Sequence, residues 1–138
     1  LDPKALKNLN LYFENFFQET TNKNIEVIWF KDYPSFEFKE RTDTCILQYY
    51  FFNKTKCEIN KQVSLKKREA SEKFINQIGK KYKFNTFDTF NILCPNEICR
   101  VINNNEVWFT DWNHISDKAA DRLKDPFLEK FYFLFTDK

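Results

Sequence analysis

Aromatic side chains constrain this chain more than any other feature. Of its 138 residues, 19 % are Phe, Trp or Tyr, and Phe alone accounts for 17. Rings of that size stabilise a fold only by leaving water, and a chain of this length can bury a sizeable core. One domain over residues 1–138 is therefore expected. The charge content argues against membrane embedding: 30 % of residues are charged, and mean hydropathy is −0.65. The richest apolar run, Phe127 to Phe135, is interrupted by Glu129 and Lys130 and falls short of the roughly 18 residues a spanning helix needs. With 22 basic and 20 acidic residues the net charge is +2, too balanced to point to nucleic acid or an anionic membrane surface. The chain opens Leu1-Asp2-Pro3, without the pattern of a signal peptide, and contains no Met. Such a start reads as a piece cut from something longer.

Four cysteines, Cys45, Cys57, Cys94 and Cys99, form two local pairs. Disulfides closing short loops would place the chain in an oxidising compartment. Zinc is the competing reading, but its usual Cys knuckles, two to four residues apart on each side, are not repeated here. We expect Cys45–Cys57 and Cys94–Cys99 disulfides, and neither a metal nor a cofactor. The one sequon, Asn53-Lys54-Thr55, is too common a tripeptide to carry weight.

Apolar residues at Leu6, Leu9, Phe13, Phe16 and Phe17 give Lys4 to Glu19 the spacing of an amphipathic helix, ended by Thr20-Thr21-Asn22-Lys23-Asn24. Ile25 to Phe30 reads as a short buried strand, with Asp32-Tyr33-Pro34-Ser35 as its exit turn. Ile46 to Phe52 fits a helix or a strand. Ser64 reads as the N-cap of a helix reaching Tyr82, and Phe84 to Phe87 as a second strand. Asn103-Asn104-Asn105, between Arg100-Val101-Ile102 and Val107-Trp108-Phe109, suggests a β-hairpin. A helix follows Ser116, kinked or restarted near Asp125-Pro126. This order of elements is α/β in character.

The only histidine, His114, follows Asp111 by three positions, in the loop between the last strand region and the final helix. An aspartate so placed can accept a hydrogen bond from one ring nitrogen and leave the other free for a reacting group, as in a Ser-His-Asp triad. The plainer alternative is a polar turn before a helix, with His114 at the surface. The end of a strand in an α/β sheet is where ligand chemistry commonly sits.

Leu93-Cys94, Cys99-Arg100-Val101, the Asn-rich hairpin, Phe109, Asp111-Trp112-Asn113-His114-Ile115-Ser116 and Ala119-Ala120 together resemble one family. The chain is similar to the C-terminal part of an SGNH (GDSL-like) hydrolase domain. Within that group it looks most like the extracytoplasmic SGNH domain of membrane acyltransferase-three O-acetyltransferases, which modify cell-surface polysaccharides or peptidoglycan. The resemblance implies the C-terminal portion of a three-layer α/β/α fold with a parallel sheet and a disulfide-bearing insertion. It implies Asp111 as triad aspartate and His114 as general base, acting by Ser-His-Asp acyl transfer. The implied partners are an acylated glycan substrate, the N-terminal part of the same domain and a membrane acyltransferase domain of the parent protein, without nucleic acid. The implied location is periplasmic or cell-surface, tethered to a membrane through the parent.

The family's Gly-Asp-Ser nucleophile block and its Gly and Asn oxyanion donors have no counterpart here. Gly79 is the only glycine, and Ser35, Ser64, Ser71 and Ser116 read as a turn, a cap, a helix surface and a cap. The chain alone is accordingly expected to be inactive. The alternative function is a secreted, disulfide-stabilised binding module, in which Trp29, Trp108, Trp112 and the tyrosines supply stacking surfaces.

Overall fold

The computed structural model describes residues 3–36, 42–52 and 57–136. The sequon at Asn53 lies outside them. The chain is mixed α/β, and its contacts group into two compact units, Leu1–Phe30 with Ala70–Phe87, and Lys31–Glu69 with Asp88–Lys138.

The first unit is built on aromatic packing. Helix α1 (Pro3–Asn22) places Phe13 and Phe17 one turn apart on one face. Phe17, 1 % exposed, lies 5.0 Å from Phe84, 5.7 Å from Tyr82 and 6.3 Å from Trp29, while Phe13 meets Phe74 at 5.1 Å. The helix stops where Asn24 turns left-handed (φ 53°). Asn24 N–H then bonds Thr21 C=O and Ile25 N–H bonds Thr20 C=O, a Schellman cap. That cap consumes Ile25, so strand β1 spans only Ile28–Phe30 rather than starting at Ile25 as expected. It pairs in parallel with β3 (Asn85–Phe87), Trp29 opposite Thr86. A parallel pair requires a long crossover, which here contains α2 (Thr42–Phe52), β2 (Glu58–Asn60), α3 (Lys61–Lys67) and α4 (Glu69–Gly79). Helix α4 belongs mainly to this unit and buries Ile75 and Ile78.

In the second unit, β2 runs antiparallel to β4 (Ile98–Arg100), with Ile59 opposite Cys99. Both expected disulfides form, Cys45–Cys57 and Cys94–Cys99, so the four sulfurs are not zinc thiolates. Cys57 C=O accepts from Val101 N–H, and the β2–β4 ladder therefore ties the two bridged loops together. The helix expected from Ser64 to Tyr82 is two helices. Asn60 caps α3, its side chain accepting from Gln62 N–H at 2.9 Å, and it lies where β2 ends. Ser64 thus falls inside α3, 1 % exposed, where its hydroxyl accepts from Ser35 N–H at 2.9 Å. The break between α3 and α4 is Arg68, whose guanidinium turns away to Asp88.

Helix α5 (Phe90–Leu93) leads into the second disulfide loop. The hairpin forms as expected, from β5 (Ile102–Asn103) and β6 (Glu106–Val107), Ile102 opposite Val107. Its two-residue loop, Asn104 and Asn105, has φ of 50° and 63°, the left-handed pair a type I′ turn needs and Asn tolerates. Of the kink or restart expected near Pro126, the restart does not occur: helix α6 (Asp117–Phe131) runs through that residue. One missing donor leaves the neighbouring helical hydrogen bonds in place, and Ala119, Leu123 and Phe131 bury the inner face. The interruption comes instead at Tyr132, before α7 (Phe133–Thr136).

Candidate active site

The residues flanking His114 form a closed loop between β6 and α6. Phe109 and Ile115 make an antiparallel bridge at its base, and Ser116 N–H bonds Trp108 C=O at 2.9 Å. The Ser116 hydroxyl donates to Val107 C=O at 2.6 Å and accepts from Ala119 N–H at 3.3 Å. One side chain therefore caps α6, as the sequence indicated, and also fastens it to the preceding strand. Phe109 is fully buried and meets Phe36 edge-on at 4.6 Å. From the same segment, Phe36 N–H reaches across to Trp112 C=O at 2.8 Å.

Inside this frame Asp111 organises the loop. Its Oδ1 accepts from Asn113 N–H at 2.9 Å and from His114 N–H at 2.8 Å, an Asx turn that brings residue 114 back towards residue 111. Its Oδ2 then lies 2.6 Å from His114 Nδ1. Thr110 closes the turn from the other side, its N–H donating to His114 C=O at 2.9 Å. The Asn113 N–H and the His114 ring hold the Asp111 carboxyl below the usual carboxylate range, against a small opposing effect of burial. A charged Asp111 fixes the neutral tautomer with hydrogen on Nδ1, leaving the Nε2 lone pair free. The His114 side chain is 72 % exposed, and among the described residues Asp111 is the one side chain it bonds. An exposed imidazole base with one nitrogen held by carboxylate can remove a proton from a hydroxyl brought to it.

The four serines stand elsewhere. Ser35 and Ser64 bond each other, Ser71 lies half-buried on α4, and Ser116 faces Val107. Among the described residues none is hydrogen-bonded to His114, and no group of three or more His, Cys, Asp or Glu is placed to hold a metal. Thr110 and Phe36 were missed by the sequence reading. Each donates its backbone N–H to the loop, and a backbone donor carries no signature in side-chain spacing.

A family model described as an SGNH domain fused to AT3 domains matches residues 5–129. The chain belongs to that SGNH family. No curated protein and no solved structure gives a significant match. The family match takes in all of the site loop and both disulfides of this SGNH domain. Fusion to AT3 domains associates the domain with acyltransferase chemistry and, together with the two disulfides, points to a place outside the cytoplasm. No helix among the described residues is long and apolar enough to cross a membrane.

Proposed function

We propose that residues 1–138 supply the Asp and His of a Ser-His-Asp acyl-transfer centre in an SGNH O-acyltransferase or esterase. Its substrates are acylated glycans of the periplasm or cell surface, and a membrane acyltransferase domain of the parent protein tethers it there. The observation that carries this reading is the 2.6 Å contact from His114 Nδ1 to Asp111 Oδ2 on an otherwise exposed imidazole. The nucleophilic serine and the oxyanion donors come from residues outside these 138.

In this mechanism His114 Nε2 takes the proton from the serine hydroxyl as its oxygen attacks the acyl carbonyl carbon. The tetrahedral oxyanion collapses, the ester C–O bond breaks, and the imidazolium returns its proton to the leaving alkoxide. An acyl-serine remains. A sugar hydroxyl, or water, then gives a proton to Nε2 while attacking that acyl group, and the serine leaves with the proton restored. Asp111 stays ionised throughout, holding the ring's orientation and stabilising the imidazolium.

The test is acetyl-ester turnover by a longer parent protein containing the Gly-Asp-Ser block. His114→Ala should lower kcat by about 10⁴- to 10⁶-fold, the range of triad deletions. Asp111→Asn should cost less, because the base remains although its tautomer and orientation are spoiled. Near-normal acyl transfer by full-length His114→Ala would reject the assignment and favour the binding-module alternative.

A further inference from the structure

The three tryptophans occupy three different environments. Trp108 is 6 % exposed. Trp29 packs against Phe13 at 5.4 Å and against Phe74 and Phe84 at 6.5 Å. Trp112 is 56 % exposed, although it lies between the two residues of the proposed acid–base pair. A single exposed apolar residue is ordinary on a protein surface. This one differs in how it is carried.

Its backbone is held at the carbonyl and at the two residues that follow. The Trp112 carbonyl accepts from Phe36 N–H at 2.8 Å, and Phe36 is itself fully buried against Phe109. Just after it, Asp111 Oδ1 fixes the two N–H groups that follow Trp112, at 2.9 and 2.8 Å. The loop's base is closed by the Phe109–Ile115 bridge. A large, flat, amphipathic ring on so rigid a support loses little conformational freedom when a ligand covers it, the condition under which Trp contributes most to recognition.

We infer that Trp112 is the sugar-stacking platform of the site, positioning a pyranose ring of the glycan so that its hydroxyl or O-acyl group faces His114. The inference rests on the acyl-transfer reading for the purpose of that positioning, but the stacking itself does not need it. A pyranose with equatorial substituents offers a flat face of C–H bonds, electropositive at hydrogen, and the indole face is the complementary negative surface. The ring suits this ligand because it is both apolar and able to donate from Nε1–H to a sugar oxygen. Trp112 is therefore a positioning residue and takes no part in proton transfer.

The probe is chitotetraose, whose β-linked rings all present that flat face, titrated into the 138-residue chain. Tryptophan emission should shift to shorter wavelength and saturate, and ligand-observed NMR should report the same dissociation constant. Trp112→Ala should weaken binding at least fivefold by NMR, with Trp112→Phe between the two. Absence of saturable binding, or a loss under fivefold in Trp112→Ala, overturns the platform. Circular dichroism of Trp112→Phe guards against a folding artefact. Because binding is read without turnover, loss of the catalytic assignment through full-length His114→Ala leaves this result standing, and the reverse also holds.

Discussion

Arg68 keeps only 7 % of its side chain exposed, yet it carries a full charge. The charge is met by Asp88: Nη1 and Nη2 reach its two oxygens at 3.2 and 3.0 Å, and Arg68 also lies 4.9 Å above the Phe90 ring. Burial raises the cost of ionising Asp88. The Arg68 hydrogen bonds, the Phe90 N–H and the Lys31 charge outweigh it, so the carboxyl titrates below its ordinary value. A depressed folded value makes a contribution that is present above the unfolded carboxylate pKa of about 3.9 and disappears as pH falls through the folded value. Asp88 remains 40 % exposed, so solvent screening limits the effect, and Asp88→Asn should cost about 1–2 kcal/mol at pH 7. Urea unfolding should show that deficit shrinking as pH drops below 4. A deficit that is the same at pH 3 and pH 7 would mean Asp88 does not act through its charge. Asp111 and His114 were legible because their link spans three residues. Arg68 and Asp88, separated by 20 residues, meet only through the path of the crossover, and no local pattern announces them.

At the scale of elements, both bridges close short loops and end at buried sulfurs. Cys94 and Cys99 are fully buried, and Cys45 and Cys57 are 5 % exposed. On loop entropy alone, the bridge across 12 positions should contribute about 3 kcal/mol and the one across 5 about 2. Paired Cys→Ala variants compared by chemical denaturation test that order. Equal losses, or a larger loss for the shorter loop, would show that packing of the buried sulfurs governs instead. The same scale separates what sequence spacing conveys from what it misses. The triple Asn predicted the hairpin because left-handed φ is a local demand that Asn meets. Local demand also misled: Ser64 is a good cap by type, but Asn60 sits where a strand ends and a cap is needed. Likewise Ile25 has the character of a strand residue, and the capping of α1 takes its N–H. In each miss a neighbouring element claimed the residue first.

For the whole molecule, the chemistry proposed here requires a serine that this chain's loops do not bring to His114. The isolated 138 residues should therefore hydrolyse acetyl esters no faster than the uncatalysed background. Robust turnover by the chain alone would mean that one of Ser35, Ser64, Ser71 or Ser116 is a nucleophile after all. The Asp–His pair needs little from the rest of the molecule. Its geometry is set within Val107 to Ser116, by an Asx turn, a bridge and a hydroxyl anchor. A centre built from so short a stretch can be divided without being dismantled. Expressed as a separate fragment, this chain would carry its base already oriented, and a complementary fragment would have to dock its serine and oxyanion donors within reach. SGNH domains built this way are thus natural candidates for splitting into two inert halves whose association switches activity on.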